Sequence, residues 1–192
     1  MNTRLDFIET FTGRRFKPLD PSESEISIED IAHALSNQCR FSGHCRSHYS
    51  VAEHSIRVSK LLADWGESPS IQLWGLLHDA SEAYLVDIPT PLKLSAAFAA
   101  YRDAERRLQI AICQKFGLPL LMPEAVRRAD AVLLATEARE LMPFRPEHWG
   151  ALTEQPLPER IHPLYLPGDA KWGLLERFAD LTHQLACQSR HP

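Results

Sequence analysis

Four residues, His54, His78, Asp79 and Asp130, together make a mixed nitrogen and oxygen donor set of the kind that holds a divalent transition metal. Each falls on or beside a stripe that should be apolar. Val51, His54, Val58, Leu61 and Trp65 recur at helical spacing, one face turned toward a core, and His54 lies inside it. Ile71, Trp74, His78, Ser81 and Leu85 repeat the pattern, with Asp79 directly after the histidine. Val126, Asp130, Leu133 and Glu137 form a third stripe, so Asp130 is also aimed inward. An unpaired ionised carboxylate in an apolar interior costs more than the ~5–15 kcal/mol by which a domain is stable. These groups must therefore be paired or bound to a cation.

Taken singly, each has an ordinary reading. His54 reads as a hydrogen-bonded core histidine, Asp79 equally as a cap after a bend, and Asp130 as a partner of Arg127, Arg128 or Arg139. Jointly, two imidazoles and two carboxylates form a set whose negative charge a divalent ion cancels. Such a set suits Mn, Fe, Co, Ni or Zn better than Ca or Mg, which prefer oxygen alone. Four protein ligands on an octahedral ion leave positions for water and a phosphate oxygen, which points to catalysis rather than a structural staple. Glu82 follows Asp79 by three residues and shares its helical face, where a carboxylate can handle a proton; on its own it would read as an exposed helix acid.

The elements that must position these groups are helical. The pattern predicts helices at 28–37, 50–65, 69–79 continuing after a bend to about 86, 95–116, 123–142 and 169–187. Ser27 with Asp30, and Ser50 with Glu53, place a capping hydroxyl three residues ahead of an acid, and Ser68 before Pro69 marks another start. Pro89 and Pro91 end one helix, and the prolines from Pro143 to Pro167 exclude regular helix between them. The stretches FIETFTG and RRFKPLDP suit a short strand pair or an extended arm. The expected fold is all-α: a single domain over 1–192, with an extended or β-hairpin arm (1–26), a metal-binding helical core (27–142), and a proline-rich loop with a C-terminal helix (143–192).

A 44% hydrophobic composition fits a globular chain, and a net charge of −4 provides no basic field for duplex nucleic acid. No apolar run approaches the ~18–20 residues of a membrane span, and the opening MNTRLDFIETFTGRR holds no apolar stretch of the kind a secretory signal needs. A cytoplasmic protein with its four cysteines reduced is expected. In FSGHCRSHYS, His44 and His48 with Cys39 and Cys45 lack C-x-x-C spacing, so they read as a polar loop near the pocket mouth rather than structural zinc; substrate contact or a second metal is the functional alternative.

The segments SVAEHSIRV, LLHDASEAYLVDIPTPLK and RADAVLLATEARE resemble the signature of the HD superfamily of metal-dependent phosphohydrolases. The closer resemblance is to bacterial 5′-deoxynucleotidases and phage-type deoxyadenosine triphosphate triphosphohydrolases, the second through ISIEDIAHALSNQCRFSGH and YSVAEHS. It runs from about Gly13 to Leu141 and implies an HD-domain helical bundle. Position by position it makes His54, His78, Asp79 and Asp130 metal ligands and Glu82 the proton-handling acid. Asp87 would sit close to the sugar and disfavour a ribose 2′-hydroxyl, Lys93 would meet phosphate, and Arg40 and Phe41 would contact substrate, Phe41 standing where the nucleotidases carry tryptophan. The implied activity is hydrolysis of the 5′-phosphate ester of (deoxy)nucleotides, releasing phosphate or triphosphate. One divalent transition metal is implied, with additional Mg accompanying a triphosphate, and so is a homo-oligomer. Arg14, Arg15 and Lys17 are candidates to meet extra phosphates. The alternatives are a silent nucleotide-binding regulatory module, and a phosphodiesterase or guanosine tetraphosphate hydrolase on the same core.

Overall fold

The computed structural model describes residues 6–143, 145–150, 152–161 and 165–188. The outermost residues of the predicted arm and tail, 1–5 and 189–192, and Pro163 of the proline-rich stretch lie outside them. The chain forms α1 (Ile28–Asn37), α2 (Val51–Asp64), α3 (Pro69–Leu76), α4 (Glu82–Leu85), α5 (Thr90–Lys93), α6 (Ala99–Phe116), α7 (Glu124–Leu141) and α8 (Pro167–Gln188). A hairpin precedes them, β1 (Ile8–Glu9) pairing antiparallel with β2 (Arg15–Phe16) and Ile8 opposite Phe16. The fold is thus mostly helical with one small two-stranded sheet. Among the described residues no helix is long and apolar enough to cross a membrane.

The central helix is α2, which packs on α1, α3, α7 and α8. Its start is fixed by the Ser50 hydroxyl, which accepts from the Glu53 N–H at 3.0 Å, as the capping pattern predicts. Ser68 likewise accepts from the Ile71 N–H at the start of α3. Gly75 marks the close approach of α3 to α2: a β-carbon there would collide with Leu62 Cδ1 and lie 3.2 Å from Val58 Cγ1. One core cluster runs from Phe16 of the hairpin through Ile31, Val58, Leu77 and Leu133 to Leu181 of α8. Phe16 joins it by stacking on Tyr84 of α4 at 3.9 Å between centroids.

Several predicted features differ. The Ser27 hydroxyl makes no capping bond. Asp30 instead accepts from the Thr12 N–H at 2.7 Å and the Thr12 hydroxyl at 2.9 Å, so the acid ties the hairpin to α1. Trp65 leaves the apolar stripe, being 38% exposed at the end of α2, where the Arg128 guanidinium lies over its ring. The third predicted helix stops at Leu76. The Gly75 carbonyl, which the Asp79 N–H would take in a continuous helix, is bonded by His78 Nδ1 at 2.8 Å. The backbone then closes i to i+3 bonds from Ala80 to Leu77 and from Glu82 to Asp79. Hence His78 and Asp79 sit in a tight turn between α3 and α4, not on a helix. Of the prolines expected to end a helix, Pro89 caps the single turn of α5 and Pro91 lies in that turn, and α6 starts after a 3₁₀ turn at Ala96–Phe98.

Candidate metal centre

Three elements meet at one point. The Nε2 atoms of His54 on α2 and His78 in the α3–α4 turn face each other at 3.3 Å. Asp79 Oδ2 lies 3.1 Å from His78 Nε2 and 3.9 Å from His54 Nε2. Asp130 Oδ1, from α7, lies 3.1 Å from His54 Nε2 and 3.8 Å from His78 Nε2. Asp79 approaches from the His78 side and Asp130 from the His54 side. None of Arg127, Arg128 and Arg139 pairs with Asp130: their carboxylate partners are Glu124, Glu154 and Glu140.

The spacing of His54, His78 and Asp79 fits a common ion, with Asp130 at the edge of that group beside His54. Donors held at ~2.0–2.2 Å by one transition metal stand roughly 2.8–3.1 Å apart when adjacent in octahedral geometry and roughly 3.3–3.6 Å apart in tetrahedral geometry. His54, His78 and Asp79 offer ligand atoms all within 4.8 Å of one another, a group able to hold a metal ion. Both histidines are buried and both are oriented through Nδ1, His54 against Glu137 Oε1 at 2.6 Å and His78 against the Gly75 carbonyl. The free ring edge of each is thereby turned into the cluster.

The imidazoles and carboxylates of the cluster stabilise one another's charged forms. Burial works against the imidazolium of His78, but the adjacent Asp79 carboxylate outweighs it and raises the pKa to about 9. For His54, burial and Arg40 push down while Glu137 and Asp130 push up, and the net shift is upward. Burial acts to raise Asp79 and Asp130, yet the two imidazoles hold both below the usual carboxylate range.

Glu82 opens α4 one turn beyond Asp79, so it reaches the site through the turn rather than along a shared helical face. It is 5% exposed, and its Oε2 is buried with no hydrogen-bond partner among the described residues. Burial, reinforced by the carboxylates of Asp79 and Asp87, pushes its pKa well above the usual range, with Lys93 and Arg40 acting against the shift. Lys93 Nζ stands 3.6 Å from Glu82 Oε1 and bonds Glu105 at 2.7 Å. The Asp87 N–H donates to Gln38 Oε1, and Gln38 Nε2 donates to the Glu82 carbonyl, so one amide clasps both ends of the Glu82–Asp87 segment.

Arg40 lies between the cluster and the loop after α1. Its Nε donates to Glu137 Oε2 at 3.0 Å and one terminal nitrogen is 3.6 Å from Asp79 Oδ2. Phe41 follows with its ring beside the Arg40 guanidinium and edge-on to Trp149 at 6.1 Å between centroids. The structure therefore gathers His54, His78, Asp79, Asp130, Glu82, Lys93 and Arg40, with Phe41 and Asp87 attached at the edges. It does not gather His44 and His48, which are exposed in the loop between Phe41 and Ser50. Arg14, Arg15 and Lys17 are engaged on the hairpin side: Arg14 with the Ser24 carbonyl, Arg15 over Phe7, Lys17 with Asp6. Tyr49, Gln38 and Glu105 are site neighbours that the sequence pattern did not reveal. Tyr49 carried the best signal, an aromatic directly before the Ser50 cap of the helix that bears His54.

No family model matches the chain. The uncharacterized protein YfdR of Escherichia coli strain K12 is 38% identical over 184 residues, spanning 95% of this chain and 99% of its own length. An uncharacterized protein of Rhodobacter capsulatus is 40% identical over 141 residues, 69% of this chain and 71% of the relative. At that identity, over nearly the whole of both proteins, the chain belongs to the family of YfdR.

Proposed function

We propose that the chain is a metal-dependent phosphohydrolase of the HD superfamily that cleaves the 5′-phosphate ester of (deoxy)nucleotides. The observation that carries this reading is the pairing of two neighbours: a donor cluster of His54, His78, Asp79 and Asp130, and Glu82 beside it with a buried, unbonded carboxylate oxygen. A cluster alone would hold an ion without naming a group that moves protons. A buried acid with a raised pKa and an unbonded oxygen beside such a cluster is the mark of a group that handles protons for an incoming molecule.

The four donors would hold one divalent transition ion, Mn, Co, Fe, Ni or Zn. When bound, it lowers the pKa of water and polarises a phosphoryl oxygen. The remaining roles fall to the chain. Glu82, whose pKa burial raises, gives a proton to the departing 5′-oxygen as the phosphorus–oxygen bond breaks, and recovers one from the attacking water. Arg40 and Lys93 offset charge developing on the phosphoryl oxygens. Arg40 is already fixed by Glu137, whereas Lys93 must exchange Glu105 for phosphate. Asp87, next to the clasped segment, faces the sugar, and Phe41 packs against it. The local engagement of Arg14, Arg15 and Lys17 removes one argument for a long phosphate tail. A small-molecule nucleotide is the partner, and assembly into a homo-oligomer belongs to the same proposal.

The test is a panel of deoxynucleoside and ribonucleoside mono- and triphosphates, assayed with Mn, Co or Mg for release of phosphate against triphosphate. Metal-dependent release of either product is expected. Measurable nucleotide binding without turnover across the panel would replace the enzyme with a regulatory module.

A further inference from the structure

Glu137 on α7 is fully buried, and its two oxygens are committed to different tasks. Oε1 accepts from the Tyr49 hydroxyl at 2.8 Å and stands 2.6 Å from His54 Nδ1. Oε2 accepts from Arg40 Nε at 3.0 Å. A carboxylate only accepts hydrogen bonds, so His54 must donate through Nδ1 and its Nε2 lone pair must face the cluster. The same rigid group aims the Arg40 guanidinium, whose other carboxylate neighbour among the described residues is Asp79. We infer that Glu137 is the positioning residue that couples metal capture by His54 to phosphate capture by Arg40. The inference rests on the proposed reading of the cluster as a metal centre.

Two properties single out this carboxylate. Among the described acids of the site it is the least exposed, at 0% against 5% for Glu82, with Asp79 and Asp130 more open still, and both of its oxygens are already taken, so it acts through its neighbours. It also bridges three chain segments: α7, the start of α2 and the loop after α1. Replacement by glutamine shows why both oxygens are needed. If the amide oxygen faces Arg40, the amide NH₂ faces His54 Nδ1, which must then accept, and the ring proton moves to Nε2, where it blocks ligation. If the amide oxygen faces His54, the NH₂ meets the guanidinium, donor against donor. One amide cannot serve both.

The experiment titrates Co²⁺ into the purified full chain, then inorganic phosphate into the Co²⁺-loaded protein, for the wild type, Glu137→Gln and Tyr49→Phe. Glu137→Gln should lose on the order of 10–100-fold in Co²⁺ affinity or, with the opposite amide orientation, a comparable factor in phosphate affinity. Tyr49→Phe removes a donor from the same oxygen without touching His54 or Arg40, and should lower the thermal midpoint while leaving both affinities in place. Unchanged affinities in Glu137→Gln, or equal losses in the two variants, would overturn the inference and reduce the network to packing. Wild-type protein that takes up no Co²⁺ removes the metal centre itself, and this inference with it. Nitrogen NMR of the wild type in the neutral imidazole state gives a check independent of the variants: His54 should carry its proton on Nδ1, and a proton on Nε2 overturns the assignment even if Glu137→Gln does not fold.

Discussion

The two sides of the cluster are built to opposite standards. Behind it, His54 on α2, Glu137 on α7 and Tyr49 just before the α2 cap are fully buried and each polar group meets a partner. In front, between α4 and α6, Glu82 keeps an unbonded oxygen, Lys93 is shared between two acids, and Val86 has a φ of +71°. Leu92 and Leu94 are exposed beside it. A satisfied network resists change, whereas unsatisfied groups and strained backbone persist only where surrounding structure enforces them. The rear wall thus has the properties needed to hold an ion in place, and the front has those needed to meet a substrate.

The largest expected effect separates the sides by their failures. His78→Ala and Glu82→Gln should both abolish most nucleotide turnover, the second by ~10²–10⁴-fold as expected for loss of a general acid. Only His78→Ala should also lose Co²⁺, because Glu82 lies outside the donor cluster. Co²⁺ titration alongside the phosphate-release assay makes the distinction. Loss of Co²⁺ binding in Glu82→Gln would make that acid a ligand and erase the contrast.

A second change strikes the rear wall through packing alone. Gly75→Ala inserts a methyl where Leu62 and Val58 already fill the space between α2 and α3. Overpacking of a tight core costs ~1–3 kcal/mol, to be read from chemical denaturation. Because the Gly75 carbonyl also orients His78, a weaker Co²⁺ affinity should accompany the lost stability. Normal stability and normal affinity together would show that the approach of α3 to α2 does not set the histidine pair.

Much of this organisation is legible in the sequence, and the illegible parts share a cause. Polar residues interrupting apolar stripes disclosed His54 and Asp130, and the stripe of α7 placed Glu137 on the same face as Asp130, because helical periodicity is local. The same periodicity concealed the end of α3: Ile71, Trp74, His78 and Ser81 keep a regular spacing although a turn replaces the helix after Leu76. There the His78 side chain captures a backbone acceptor, an event the spacing does not encode. Ser27 and Ser50 carry the same capping signature, yet only Ser50 caps, and the Asp30 carboxylate is bonded instead to Thr12, 18 residues away. The Gln38 clasp and the Lys93–Glu105 pair are likewise products of tertiary packing, and each joins ordinary polar residues that have no distinguishing neighbours.

The smallest expected effect tests whether the front is strained for use. Val86 combines φ +71° with ψ 147°, a conformation that a β-branched side chain resists. It is 59% exposed, so little apolar burial offsets the strain. What enforces it is the surrounding hydrogen bonding: the Val86 N–H reaches the Glu82 carbonyl, the Tyr101 hydroxyl reaches the Val86 carbonyl, and Gln38 holds the next residue. Such a backbone costs ~1–3 kcal/mol, while glycine gives up ~0.5–1 kcal/mol in chain entropy. Val86→Gly should therefore raise stability by about 1 kcal/mol in denaturant unfolding, leave Co²⁺ affinity alone, and raise KM for the nucleotide by loosening Asp87. A stability loss would show that Val86 is held by its packing rather than against its preference, and the front would then be as relaxed as the rear.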